Sequence, residues 1–270
     1  MVRGLFCSLA IFVVLMTSAT HAHAQGKRPG VVLDNGAAEA AVATLCAASN
    51  LTIFIRQRES GWGPSLIRKP DTTVGVVSDV FGAVGGIFIQ TGVGYVLESG
   101  YLNAAGADDP GVEALFGTLV ETESFLLSSG VTQLIKRISG RCRPRAWLDG
   151  KCTEFNAFPS GHTSAISPFA GARLVRLIQT PSEGIEFRAA NYAVAETTTI
   201  GVAFMRVAAG AHNWEDVLAG GIIGHATGVL IALIHPPVDV EPGSRTGASA
   251  GALKGPKSIP TTSFSMTFEF

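Results

Sequence analysis

"FPSGHTSA", Phe158 to Ala165, lies near the middle of the 270-residue chain, at the point where an apolar run with helical composition begins. Ser160 and Gly161 fall at the expected helix start, where backbone N–H groups lack intrahelical acceptors and face an incoming anion. Glycine has no side chain to obstruct a close approach. His162 follows directly. Taken alone, such a histidine reads either as a packed helical residue or as an acid placed for a leaving group.

The flanking sequence separates these readings. Upstream, "KRISGRCRP" supplies Lys136 and Arg143 at the end of a long helical stretch and in the loop after it. Downstream, "RVAAGAHNWED" supplies Arg206, His212 and Asp216. Guanidinium forks match phosphoryl oxygens, so Lys136, Arg143 and Arg206 form a candidate clamp for three equatorial oxygens. His212 and Asp216 are four residues apart and share a face if the backbone is helical. A carboxylate on one ring nitrogen fixes the tautomer and leaves the other nitrogen as a nucleophile. His162 is then left to protonate the departing oxygen.

Together these residues resemble the type 2 phosphatidic-acid phosphatase and vanadium-haloperoxidase superfamily, whose pattern is K-x6-RP, then PSGH, then SR-x5-H-x3-D. Here the parts stand as Lys136…Arg143-Pro144, as Pro159-Ser160-Gly161-His162, and as Arg206…His212…Asp216, in the same order and spacing. Met205 stands where the family usually has serine. By layout the resemblance runs over roughly residues 75 to 235, and the triple is far more specific than PSGH alone. It implies an all-α helical bundle of about five to six core helices. It also implies a phosphatase without metal or other cofactor that works through a phosphohistidine. His212 is then the nucleophile, Asp216 its partner and His162 the acid, with Lys136, Arg143, Ser160, Gly161 and Arg206 binding phosphate.

Other charged residues near these motifs have plainer readings. Arg137, Arg141 and Arg145 suit a solvated helix end that balances the dipole, or contact with anionic head groups. Arg173 and Arg176 are expected on the outer face of the helix that begins near Ser160. Glu121 and Glu123 are expected in solvent, His225 packed within an apolar helix, His235 at a helix end, and Trp214 packing beside the site.

Composition sets the frame. Only 15% of residues are charged and 32 are glycine, which points to closely packed Gly/Ala-rich helices. The net charge of −1 gives no reason to expect nucleic acid. Residues 1–24 read as a bacterial signal peptide: Arg3, an apolar run from Leu5 to Met16, and a small-residue site ending at Ala24. Residues 25–70 form an N-terminal extension that includes "LTIFIRQ" as a candidate strand. The helical domain covers 71–235, a Pro/Gly/Ser-rich linker 236–262, and an alternating "SFSMTFEF" strand 263–270. Cys7 leaves with the signal and Cys46 reads as a packing residue. Cys142 and Cys152 are expected to close a short disulfide loop in an oxidising periplasm, the alternative being two reduced thiols. With no Cys/His cluster, no metal is expected.

Three of the five apolar segments carry internal charges, which favours an exported periplasmic bundle, with or without membrane-surface contact, over a polytopic membrane protein. Val217 to Ile234 is long enough to span a bilayer. The expected substrate is a phosphorylated small molecule or a lipid such as phosphatidate or an isoprenoid diphosphate. Two other functions stay open: a vanadate-dependent haloperoxidase, and a non-catalytic envelope protein that keeps only the fold.

Overall fold

The computed structural model describes Thr44, Ala48 and residues 51–59, 62–65, 71–107, 109–148, 150–180 and 184–235. The signal peptide, its cleavage point, Cys7, Cys46, the linker and the expected C-terminal strand all lie outside the described residues.

Within them the protein is all-α. Helix α1 runs Thr72–Ala105, followed by α2 (Pro110–Ser139), α3 (Gly161–Gln179), α4 (Ile185–Ala208) and α5 (Trp214–Ile234). Local chemistry sets the ends. Asp71 caps α1 by accepting from the Val74 amide at 3.0 Å. Pro110 opens α2, and Gly140 ends it in the left-handed conformation with φ 57°. A side-chain and backbone exchange between Asn213 and Asp216 starts α5. Charge-free and glycine-rich, the middle of α1 loosens into π-helical turns at Val80–Gly85 and Ile89–Val93.

Helix α3 is the centre of the bundle and packs against each of the other four. Ile166, Phe169 and Ala170 on it are fully buried. Its contact with α5 is backbone on backbone. Gly220 lies so close to α3 that an added Cβ would fall 2.5 Å from the Ser160 carbonyl, and Gly228 meets the Pro168 carbonyl still more closely.

Polar residues also face inward. On α2, Ser124, Ser128, Thr132 and Lys136 recur every fourth residue and all are buried. Ser128 donates to the Ser164 carbonyl at 2.6 Å and Thr132 to the Ser164 hydroxyl at 2.9 Å. This row pins α2 to α3 and carries Lys136 to one end of the bundle.

Several sequence expectations are corrected. "LTIFIRQ" is not a strand. Leu51–Phe54 is a 3-10 turn, and Gln57 just beyond it donates its side-chain amide to the carbonyls of Lys136 at 2.7 Å and Phe155 at 2.9 Å. Arg173 is buried, not outward, and donates to Glu121 at 2.7 Å and to the side chain of Gln90 at 2.6 Å. Arg176 pairs with Glu98 of α1. Glu123 is buried with His235, 3.2 Å away. Arg173, Arg176 and Glu123 each have an opposite partner on another segment, which offsets the cost of burying their charge.

The expected disulfide is present: Cys142 is bonded to Cys152. It closes the loop after α2, which holds a 3-10 turn at Pro144–Ala146 and a small hairpin of β1 (Trp147–Leu148) and β2 (Lys151–Cys152). Two helices, α1 and α5, are long and apolar enough to cross a membrane. Both present exposed apolar side chains, among them Phe88 and Val96 on α1 and Leu218 and Ile222 on α5.

The close α3–α5 contact yields a pair of opposite expectations. Gly228→Ala should destabilise the fold by about 1–3 kcal/mol, because backbone cannot yield to the new methyl. Gly100→Ala, on an exposed helical turn with open space around it, should stabilise by up to about 1 kcal/mol. Denaturant unfolding of both variants checks the signs.

Candidate active site

The three motifs meet at one end of the bundle. Lys136 arrives there on the buried row of α2 and donates to the Asn156 carbonyl at 2.7 Å. Its side chain lies along the start of α3, where a Cβ on Gly161 would sit 3.3 Å from Cε of Lys136. Glycine at position 161 therefore admits the lysine. Beyond Gly140 the disulfide-closed loop brings in Arg143, whose Nε donates to Oδ1 of Asn156 at 2.7 Å and lies 3.2 Å from Glu154. The loop is tied down by the Arg143 amide on the Glu154 carbonyl and the Ala157 amide on the Arg141 carbonyl.

Ser160 caps α3, its hydroxyl accepting from the Thr163 hydroxyl at 3.0 Å. Here the structure differs from the sequence expectation. The Ser160 amide does not face an anion; it donates to the Asp216 carbonyl at 2.8 Å, a consequence of the close approach of α5. The first-turn amides of Gly161 and His162 are the ones without intrahelical acceptors.

Arg206, at the end of α4, is buried and donates from Nη1 to the Ser78 hydroxyl at 2.9 Å and to Asp79. Asp79 also lies 3.5 Å from Nε2 of His162. Helix α1 thus contributes a carboxylate that the three motifs do not contain. It approaches through its first π-helical segment, where a Cβ on Gly82 would lie 2.6 Å from Cδ2 of His162.

The turn between α4 and α5 places His212. Gly210 adopts φ 64°, its carbonyl accepts from the Arg145 amide at 3.0 Å, and the His212 amide reaches the Arg206 carbonyl at 3.3 Å. His212 is 2% exposed, and neither ring nitrogen has a hydrogen-bond partner among the described residues. Its Nδ1 stands 3.8 Å from Oδ2 of Asp216, close but beyond a hydrogen bond. Asp216 is fully engaged otherwise. Oδ2 accepts from the Asn213 amide at 2.7 Å and Oδ1 from Nη1 of Arg141 at 2.7 Å. Arg141, expected in solvent, is 2% exposed.

Burial and crowding of like charge shape the electrostatics. Burial, with Arg143 nearby, pushes the Lys136 ammonium down to about 7. Burial lowers Arg143 to about 10. Burial and Arg206 lower His162 to about 4, although Asp79 opposes this. His212 is held well below its ordinary value by burial and by Lys136, Arg143 and Arg206. Two consequences follow. His212 is a neutral imidazole with free lone-pair capacity, and the cluster as a whole favours an anion. Among the described residues no group of His, Cys, Asp and Glu is placed to hold a metal ion.

The structure brings together Lys136, Arg143, Gly161, His162, Arg206, His212 and Asp216, and assigns Ser160 to capping. Sequence reading missed Asp79, Asn156, Asn213 and Arg141. Asp79 carried one signal, being a lone carboxylate at the edge of the charge-free run from Val80 to Leu97.

Because an anion raises the lowered values of Lys136 and His162, its binding takes up protons. Affinity for sulfate, a dianion throughout this range, should therefore increase as pH falls from the ordinary lysine value towards 7, and again as His162 takes up its proton. We expect sulfate to bind severalfold more tightly at about pH 6 than at about pH 9. Calorimetric Kd values that stay flat, or weaken towards low pH, would contradict this assignment.

The sequence pattern of the PAP2 superfamily matches residues 119–239, which hold all three motifs. No curated protein matches the chain. Among solved structures, a transmembrane PAP2-type phosphatidylglycerolphosphate phosphatase from Bacillus subtilis is similar at 18% identity and a TM-score of 0.41, covering 85% of this chain and 94% of that one. The pattern match and the motifs' own order and spacing agree: over residues 119–239 this chain is similar to the PAP2 superfamily.

Proposed function

We propose that the protein is a phosphatase that hydrolyses a phosphate monoester or diphosphate through a phosphohistidine at His212. One observation carries the reading. His212 is a buried, neutral imidazole with both nitrogens unbonded among the described residues, set among three cations and the start of a helix. A packed structural histidine would have at least one nitrogen satisfied.

The chemistry balances as follows. Lys136, Arg143, Arg206 and the amides of Gly161 and His162 hold the phosphoryl oxygens. Nε2 of His212 attacks phosphorus, a P–N bond forms, and the P–O bond to the leaving group breaks. His162, protonated once the bound anion offsets its cationic neighbours, gives its proton to the departing oxygen. Asp216 accepts a hydrogen bond from Nδ1–H of the modified ring after closing the gap of 3.8 Å, and the proton stays on the ring. Water then attacks phosphorus, His162 takes its proton, the P–N bond breaks, and phosphate leaves. Met205 lies next to Arg206 on α4 and is half-buried.

The substrate is a phosphorylated small molecule or lipid. A lipid is favoured by Phe204 and Trp214, exposed and packed edge to face with ring centroids 5.0 Å apart beside Arg206 and His212 in sequence. The Cys142–Cys152 disulfide supports an exported, periplasmic location. The exposed apolar faces of α1 and α5 support membrane association.

Rapid-quench trapping of the acid-labile phosphoenzyme tests the roles. His212→Ala should abolish both the intermediate and turnover. His162→Ala should lose about 10²–10⁴-fold on substrates with poor leaving groups and far less on p-nitrophenyl phosphate, which needs little protonation. A phosphoenzyme formed by His212→Ala would overturn the proposal.

A further inference from the structure

Arg141 belongs to none of the three motifs, yet it is among the largest fully enclosed side chains of the protein. The geometry points to Arg141 as a positioning residue that holds Asp216, and through it the His212 ring, in the attacking orientation. This rests on the reading of His212 as nucleophile.

The guanidinium fork has a separate task for each terminal nitrogen. Nη1 donates to Oδ1 of Asp216 at 2.7 Å, a carboxylate with no solvent exposure. Nη2 donates to Oε1 of Glu215 and to the Ser65 hydroxyl, each at 2.8 Å. The plane of the fork lies over the Trp62 ring, 4.7 Å from its centroid. The Cys142 amide, one residue on, donates to the Trp62 carbonyl at 3.2 Å. The disulfide at Cys142 holds the same stretch from the other side. Arg141 is thus fixed on both sides before it meets Asp216.

Asp216 has two oxygens and three claimants. With Oδ1 held by Arg141 and Oδ2 by the Asn213 amide, the carboxylate cannot rotate, and Oδ2 is the atom left facing Nδ1 of His212. Without Arg141 the carboxylate keeps one tie and a free rotor. Its charge would also be uncompensated while buried, at a cost in the fold. A planar fork does this better than an ammonium, which is a point charge. Trp62 and Ser65 lie outside residues 119–239, so the N-terminal extension takes part in supporting the nucleophile.

Burial pushes the Asp216 carboxyl up to about 6, and the Arg141 cation opposes that rise. The groups facing the His212 ring from other elements are Lys136, Arg143, Arg206 and His162, with Asp216 as the carboxylate. Lys136, Arg143, Arg206 and His162 are not among the partners of the Arg141 guanidinium, so a shift in the pH profile reports on Arg141 and Asp216.

The test is steady-state hydrolysis of p-nitrophenyl phosphate by the full chain across pH, for wild type, Arg141→Met, Arg141→Lys and His212→Ala. Arg141→Met should lower kcat by about 10²-fold with KM changed less than about 3-fold, since the residue touches no substrate. Its acid limb of kcat/KM should move up by about half a unit or more, because Asp216, without Arg141 to oppose the rise, is protonated at higher pH. Arg141→Lys should restore the limb but only part of kcat. If kcat falls only with the folded fraction and the limb stays put in both variants, the inference is wrong. Should Arg141→Met fail to fold, Arg141→Lys decides alone: a kcat about 10-fold down with unchanged KM supports the role, and a wild-type kcat overturns it. Turnover by His212→Ala would instead sink the nucleophile reading, whatever Arg141 does.

Discussion

Positive charge buried around the first turn of α3 is the constraint on which the rest of this structure depends. Lys136, Arg143 and Arg206 converge there, and the ammonium of Lys136 is held by a single backbone carbonyl, that of Asn156. Such a cluster is costly to fold because each group is desolvated beside like charges. The surrounding architecture holds it in place. The serine and threonine row of α2 fixes the lysine, the disulfide loop fixes Arg143, and the Ser78–Asp79 pair on α1 fixes Arg206. The unfavourable charge that remains is what a phosphoryl group would relieve, so the strain of the free site and its affinity for an anion have the same origin.

The bundle that supports this site is built for rigidity at α3. Glycines 220, 224 and 228 let α5 lie against α3 with backbone in contact. That contact in turn places the Asp216 carbonyl on the Ser160 amide. Asp216 and the start of α3 are therefore parts of one rigid joint. Away from it, paired charges such as Arg173–Glu121 and His235–Glu123 tie the helices together inside an otherwise apolar protein.

Much of the site was legible in the sequence because its chemistry is written locally. Fixed spacing within each motif singled out His162, His212, Asp216 and the three cations as candidates, and the structure brings them together. The helix start expected near Ser160 falls where the structure has it. Long-range pairing was not legible. Arg141 looked like one more cation at a helix end, and its partner Asp216 is 75 residues away. Arg173 looked outward-facing because nothing local shows Gln90, 83 residues earlier. "LTIFIRQ" has strand composition, but the described segment instead turns and bonds to the end of α2 through Gln57. Asp79 had no motif around it. In each case the deciding partner came from another helix, which periodicity along one segment does not report.

The central claim is that Nε2 of His212 is the atom that meets phosphorus. Orthovanadate, which takes up the five-coordinate geometry of the transferring phosphoryl group, addresses it directly. A crystal structure of the protein with orthovanadate should show vanadium bonded to Nε2 of His212, with its equatorial oxygens on Lys136, Arg143, Arg206 and the first amides of α3. Vanadium bonded to His162 instead, or an anion held in the cluster with the His212 ring turned away from it, would contradict the account.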